Sequence, residues 1–440
     1  MRVFISFITI IFTLAAQAQD NVVKPDYPLL TVQEAVSIAL ENNYDIRLSK
    51  NDLKVDEQNV SLANAGLLPN LSGTFNQNNN IQDSRQVRAD GTVQELDNAR
   101  NNQMSYGVNL GWTIFDGFRM FARYDQLKTL KKQGEQELKL TVLTRISDVM
   151  TTYYDLVQQQ QLLKALDTAI VISKQRVTLA DNRFKIGKAA KLELLNAQVD
   201  LNTDRTTFLR QVEMYENTKT FLNELMARDL TTKFVVVDSV ATDSSMKLVD
   251  LMNAAQGQNP QIQIAVINKK VAELNLKQVR GMRYPQVGVT TGYIFTESEN
   301  SLGFARENSG RGLSYGISAN INIFNGFLQK RNERIAKLQI DNTNIAIEQQ
   351  TQAVNSQLMT AFQTYLTNLE LVKLERDNEE IARQNLDITM EKYRIGTITQ
   401  IEVRTAQLNF VNALARYSTA QYNAKISEVS LKELAGNIEL

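Results

Sequence analysis

Carboxylates are scattered through this sequence, and two of them flanking a sugar linkage could in principle serve glycoside hydrolysis. The chain has 48 Asp and Glu but no histidine and no cysteine. Without histidine it lacks the usual general base and the commonest metal ligand. Without cysteine it has no thiol nucleophile, disulfide or thiolate metal site. It contains no nucleophile elbow and no phosphate-binding loop. Its carboxylates are scattered along stretches of helical periodicity, and none falls in a candidate cleft. The residues therefore point away from catalysis, with no cofactor or metal expected. Lys and Arg also number 48, so no basic excess points to nucleic acid.

The organisation of the chain is more informative than its chemistry. Arg2, the short apolar run Val3 to Leu14 and the small-residue site Ala16-Gln17-Ala18 read as an export signal, residues 1–18, cleaved before Gln19. That run is too short to cross a bilayer as a helix, and no later segment reaches the roughly 18 apolar residues a helical span requires.

The remainder is written twice, as residues 19–240 and 241–440. Ser105-Tyr106-Gly107 through Ile114-Phe115-Asp116-Gly117-Phe118 returns 209 residues later as Ser314-Tyr315-Gly316 through Ile323-Phe324-Asn325-Gly326-Phe327. The same offset relates Arg183-Phe184-Lys185-Ile186-Gly187 to Lys392-Tyr393-Arg394-Ile395-Gly396, and nearer the start Asn43 and Pro69 match Asn259 and Pro285 at an offset of 216. Each half reads helix, strand, loop, strand, long helix, tight turn, helix. In the first half the strand pair spans 70–115, the long helix 117–184 and the return helix 188–228; in the second they span 286–324, 326–393 and 397–435. Thr31 and Glu34 form a capping box that opens the first helix, which is expected to run to about Ala65. The long helices, free of proline and nearly free of glycine, would each extend ~100 Å. Val142, Val149, Leu156, Leu163, Ile170, Val177 and Phe184 recur every seven residues, as do Leu194, Leu201, Phe208, Tyr215 and Leu222, and Val403, Phe410, Tyr417, Ala424 and Leu431. Sustained heptads predict coiled-coil packing, antiparallel across the turns at Gly187 and Gly396.

The strands alternate with period two. Tyr106, Val108, Leu110, Trp112 and Ile114 share one face, and Ser105, Gly107, Asn109, Gly111 and Thr113 the other; Leu313 to Phe324 repeats the pattern. Val287, Val289, Tyr293 and Phe295 mark a third strand, Leu71 and Phe75 a weaker one. Such strands suit a half-buried soluble sheet or a membrane barrel. The aromatics Trp112, Phe115, Phe118, Phe324 and Phe327 gather where strand gives way to helix, as an interfacial belt would. Residues 77–103 and 297–312 are polar and read as exposed loops. In lipid a sheet must close on itself, and four strands cannot. Two chains would supply eight strands with a filled interior, three would supply twelve with room for a lumen.

In these features the chain resembles the TolC family of outer-membrane efflux proteins. The resemblance covers nearly the whole mature chain. It rests on the duplication, on Leu40-Glu41-Asn42-Asn43 and Gln258-Asn259-Pro260, on Leu68-Pro69 and Tyr284-Pro285, on the two strand exits Ile114-Phe115-Asp116-Gly117 and Ile323-Phe324-Asn325-Gly326, and on the two glycine turns. It implies a homotrimer in the outer membrane of a Gram-negative bacterium. Its fold would be a mixed α/β membrane protein, with a twelve-stranded β-barrel, four strands per chain, continuous with a long periplasmic α-helical coiled-coil barrel. A mixed region lies midway, with an extra strand at Lys233 to Asp238. The function implied is a passive exit duct for a tripartite efflux or type I secretion system. Its tips, Phe184, Lys185, Ile186, Gly187, Tyr393, Arg394, Ile395 and Gly396, would meet a periplasmic adaptor served by an inner-membrane pump of the resistance-nodulation-division (RND) or ABC type. The resemblance also places Glu193 and Glu402, each six residues after a turn glycine, near the pore entrance, with Tyr393 helping to hold it shut. Ile398 and Thr405 stand where the family often has an arginine and a second acid; Arg404, beside Glu402, is the candidate substitute. The competing reading is a periplasmic coiled-coil structural or adaptor protein without a barrel.

Overall fold

The structure is a computed structural model that describes residues 27–302 and 305–438; the signal read at 1–18 lies outside them. The order of elements is β1 (Leu29–Leu30), α1 (Val32–Asn42), α2 (Tyr44–Asn59), α3 (Leu62–Ala65), β2 (Asn70–Val87), β3 (Val93–Phe115), α4 (Arg119–Lys185), α5 (Lys191–Leu225), β4 (Val235–Val236), α6 (Leu248–Gln258), α7 (Pro260–Gly281), β5 (Gln286–Asn300), β6 (Glu307–Asn320), α8 (Leu328–Ile395) and α9 (Gln400–Ala435). Four strands form one antiparallel sheet at one end, and the long helices run away from it. At 67 and 68 residues, α4 and α8 are each ~100 Å long.

The first helix is not continuous to Ala65; it breaks into three. Thr31 caps α1 with the expected box to Glu34. Asn43 then stops α1 and starts α2, because its Oδ1 accepts from the N–H groups of Asp45 at 2.9 Å and Ile46 at 3.2 Å. A side chain that satisfies these end donors favours a new helix start over continuation. Ser61 does the same for α3, accepting from Asn64 N–H at 3.1 Å. Asn259 repeats the Asn43 device, accepting from Gln261 at 2.9 Å and Ile262 at 3.2 Å. Both asparagines also pin the far end of a return helix: Asn43 Nδ2 donates to the carbonyl of Leu225 at 2.8 Å, and Asn259 Nδ2 to that of Leu434 at 2.9 Å.

The strand-to-helix turns use one geometry twice. Gly117 and Phe118, like Gly326 and Phe327, are consecutive residues at positive φ. This left-handed pair swings Asp116 Oδ1 back to accept from Met120 N–H at 3.2 Å, and Asn325 Oδ1 to accept from Gln329 N–H at 3.3 Å. The phenylalanines accept a strained backbone so that a residue three before each helix acts as its cap. Gly117 has a second constraint, since a Cβ there would lie 2.1 Å from the Gly281 carbonyl oxygen.

The sheet order is β2-β3-β5-β6. Its register sorts the side chains. Leu71, Leu110, Thr291 and Tyr315 stand side by side on one face, followed by Gly73, Val108, Tyr293 and Leu313, then Phe75, Tyr106, Phe295 and Arg311. Tyr106 and Phe295 stack at 4.9 Å between ring centres. The rows between, such as Ser72, Asn109, Gly292 and Ser314, point to the opposite face and are polar or glycine. Strand pairing continues well into the segments expected as loops: β2 and β3 stay paired up to the turn of residues 88–92, and β5 and β6 pair out to Glu299 and Glu307. Alternation fades there because both faces of the hairpin are polar, so period two no longer marks a strand. β6 ends at Asn320 rather than Phe324, since β5 begins at its partner Gln286 and offers nothing further to pair.

The helices pack as α4 with α5 and α8 with α9, while α1, α2 and α7 lie along α4. The largest core gathers Val149, Tyr153, Leu156, Val157, Leu222, Met226 and Phe234 around α1 and α4. Tyr153 ties the mid-chain strand into it: its hydroxyl donates to the Leu30 carbonyl at 2.9 Å and accepts from Val237 N–H at 3.1 Å, holding β1 beside β4. Of the expected strand Lys233 to Asp238, only Val235–Val236 pairs. No helix among the described residues is long and apolar enough to cross a membrane.

Candidate functional site at the helix tips

The two tips are closed by the same backbone device. Lys188 N–H donates to the Arg183 carbonyl at 2.8 Å and Thr397 N–H to the Lys392 carbonyl at 3.0 Å, with Gly187 and Gly396 at φ +74° and +86°. These are helix-ending motifs that need a left-handed residue, which glycine adopts without a Cβ clash. Ile186 and Ile395 are left exposed at the extremities.

Beyond the turns, the two tips differ at the residue that caps each return helix. The second tip resumes at Thr399, which forms a capping box with Glu402: Thr399 N–H and Oγ1 donate to Glu402 Oε1 at 3.2 and 2.9 Å, and Glu402 N–H donates to Thr399 Oγ1 at 3.4 Å. The first tip resumes at Ala190, which has no side-chain cap to offer. Glu193, at the same helix position as Glu402, is thereby free to reach elsewhere. It accepts from the Tyr393 hydroxyl at 3.0 Å and lies 3.7 Å from Arg183 Nη1. Arg183 stacks over the Tyr393 ring at 4.5 Å and donates to the Tyr393 carbonyl. Tyr393 is fully buried, 0 % exposed, between these charges. Burial, and then the hydrogen bond to Glu193, push its hydroxyl up to about 12. The two acids, equivalent by position, thus serve different ends: Glu193 joins α5 to α8, and Glu402 starts α9.

Arg404 does not pair with Glu402. Its guanidinium turns to α5, with Nη1 2.9 Å from Asp204 Oδ2 and Nε 3.7 Å from Asp200 Oδ1. There it joins a polar cluster that no sequence motif marks. Arg176 of α4, 0 % exposed, donates to Asp200 at 2.8 Å and to Gln407 Oε1 at 3.1 Å. Gln407 Nε2 donates to the Ala169 carbonyl at 2.8 Å and to Ser173 Oγ at 2.9 Å, and Ser173 Oγ donates to Asp204 at 2.5 Å. Two arginines and two aspartates on three helices compensate one another, which is what allows Arg176 and Asp204 to be buried. A signal existed: Asp200 and Asp204 flank the heptad residue Leu201, four apart, and Gln407 stands beside the core residue Ala406. Recognising it required knowing which helices meet.

The aromatics singled out at the strand ends make local contacts. Trp112 Nε1 donates to the Leu67 carbonyl at 2.9 Å, Phe115 meets Phe118 edge-on at 5.3 Å, and Phe324 meets Phe327 edge-on at 5.4 Å.

Comparison with known proteins agrees with this architecture. The family model "Outer membrane efflux protein" matches residues 35–227 and 251–437. The chain is 20% identical over 411 residues to the outer membrane efflux protein BepC of Brucella suis biovar 1, covering 93% of this chain and 86% of that protein. It is 19% identical over 413 residues to the outer membrane protein TolC of Escherichia coli K12, covering 90% and 80%. Among solved structures, the CmeC outer membrane channel of Campylobacter jejuni superposes with a TM-score of 0.74 at 19% identity, covering 92% of this chain and 85% of that one. A membrane protein from Pseudomonas aeruginosa gives 0.75 at 17% identity, covering 92% and 90%. With both helical hairpins and all four paired strands inside the matched segments, the chain belongs to the outer membrane efflux protein family.

Proposed function

We propose that three copies of this chain form one exit duct, a twelve-stranded barrel in the outer membrane above a periplasmic tunnel of coiled coils. The observation that carries this reading is the sheet itself. It has an apolar face, a polar face, and two edges, β2 and β6, unpaired among the described residues. In lipid an open edge leaves N–H and C=O groups without partners, so such a sheet is stable in a membrane only when further copies close it. The helices support the same conclusion. Only nine residues of α8 are buried, against 20 of α4. The exposed apolar residues of α8 include Leu374, Ile381, Ile388 and Ile395, a heptad series with no cover from its own chain. Such a seam fits a second copy.

The duct would be passive, driven by an inner-membrane pump of RND or ABC type through an adaptor that meets the tip residues Phe184 to Gly187 and Tyr393 to Gly396. Trp112, Phe115 and Phe324 mark the periplasmic boundary of the outer-membrane barrel. The Tyr393–Glu193–Arg183 tie holds the second coiled coil against the first and acts as the closed-state latch, so opening is a repacking of α8 and α9 against α4 and α5. Glu402 belongs to the entrance as the cap that orders α9. The test is the mass and heat-modifiability of the detergent-extracted outer-membrane fraction. A heat-dissociable oligomer of three chains supports the duct; a soluble periplasmic monomer overturns it and leaves the coiled-coil adaptor reading.

A further inference from the structure

The polar face of the sheet becomes, on the barrel reading above, the wall of the exit passage. From Gln286 and Asn320 at the helical end to the row of Asn78, Gln103, Ser298 and Asn308, that face carries no ionisable side chain; Arg306, across from Asn300, is the first charge beyond it. Its rows are built from Gly, Ser, Thr, Asn and Gln, with Ile294 the one apolar interruption. The charged residues of β5 and β6 are Glu297, Glu299, Glu307 and Arg311, and the register places every one on the opposite face. Desolvation cannot account for this segregation. A water-filled lumen is the position in a barrel where a charge costs least, and the outward face is where it costs most.

We propose that the exit passage is indifferent to charge: it passes cationic, neutral and anionic solutes alike, and whatever charge selection the assembled duct exerts lies in its helical part. The wall presents hydroxyls, amides and bare backbone, which solvate either sign weakly and hold neither. A single fixed charge repeated in three copies would act differently, since at roughly 8 Å across water it shifts the relative access of cations and anions by about tenfold even with physiological screening.

The chain lacks cysteine, so single cysteines report without background. Ser72→Cys and Ser314→Cys lie in the same row of the sheet. In outer-membrane preparations at 0.15 M salt, each is reacted with cationic, neutral and anionic methanethiosulfonates of similar size, and the rates are divided by those of a free small thiol. The expected cation-to-anion ratio lies within about threefold of one, and Asn109→Asp in the same row raises it by about tenfold. A ratio more than about threefold from one in the parent variants overturns the proposal, as does an unchanged ratio on adding the aspartate. Failure of the barrel reading looks different: the single-cysteine variants would then be recovered in the soluble periplasmic fraction and not in the outer-membrane preparation, whatever their reaction ratios.

Discussion

Replacing Tyr393 by phenylalanine isolates the proposed latch. The ring is fully buried and stacked under Arg183, so phenylalanine fills the same space and opens no cavity. What it removes is the single hydroxyl that donates to Glu193 at 3.0 Å. A hydrogen bond to a charged group contributes about 1.5–3 kcal/mol. Each copy would therefore shift between closed and open tips by a factor of roughly 10 to 150. Glu193 keeps its longer contact with Arg183, which places the expected effect nearer the lower value. The assay is single-channel recording of the purified protein in planar bilayers. The Phe variant should spend more time in higher-conductance states than the parent, with unchanged oligomer mass and unchanged ellipticity at 222 nm. Glu193→Gln should give a similar shift, and the double variant little more than either alone, because both act on one bond. Conductance indistinguishable from the parent in Tyr393→Phe would refute the latch. Additive effects in the double variant would show that the two residues act independently.

Four further outcomes rest on the same structure. Burial raises the hydroxyls of Tyr154, Tyr215 and Tyr393 to about 12, with the carboxylates of Glu428, Glu216 and Glu193 adding to it. A folded-state value above the ordinary tyrosine range of about 10 means stability fully present below pH 10 and lost as pH rises toward 12, so circular dichroism should show an alkaline unfolding step in that window, shallower in Tyr393→Phe. Thr399→Ala removes the hydroxyl half of the α9 capping box and leaves the backbone N–H of residue 399 on Glu402, at a cost of about 1 kcal/mol, and amide exchange over residues 400–403 should quicken roughly fivefold in mass spectrometry. Ile381→Glu with Ile388→Glu places charge in the uncovered heptad seam of α8; analytical ultracentrifugation should find smaller species that retain helical content. Gly117→Ala forces a Cβ to within 2.1 Å of the Gly281 carbonyl oxygen at φ +73°, and the thermal midpoint should fall, whereas Gly326→Ala, with open space at its Cβ and only the backbone strain, should lower it less.

Much of the molecule was legible in order along the chain. Heptads need only a count of residues, and Val149, Leu156, Leu222, Val403, Ala424 and Leu431 are all buried where the helices meet. Period two likewise placed Tyr106, Val108 and Leu110 on one face and Gly107 and Asn109 on the other, as the register has them. Local rules found the Thr31 box and the glycine turns, because caps and left-handed residues act over four or five positions. Those same rules went wrong where local pattern loses its meaning. The hairpin beyond Phe75 and Tyr106 stays paired although its alternation has faded, because pairing satisfies the backbone whatever the side chains do.

The sequence by itself determined the duplication, the kinds of element in each half and the length of the two long helices. Only the tertiary structure decided how equivalent residues divide their work. Glu193 and Glu402 occupy matching positions, but Ala190 lacks the hydroxyl of Thr399, and so one acid crosses to Tyr393 while the other caps its own helix. Arg404 bypasses Glu402 for Asp200 and Asp204 because α5, not the preceding turn, is the surface it packs against. A side chain's partner is set by which helices pack together and at what height, and that information is spread over 200 residues of chain or more.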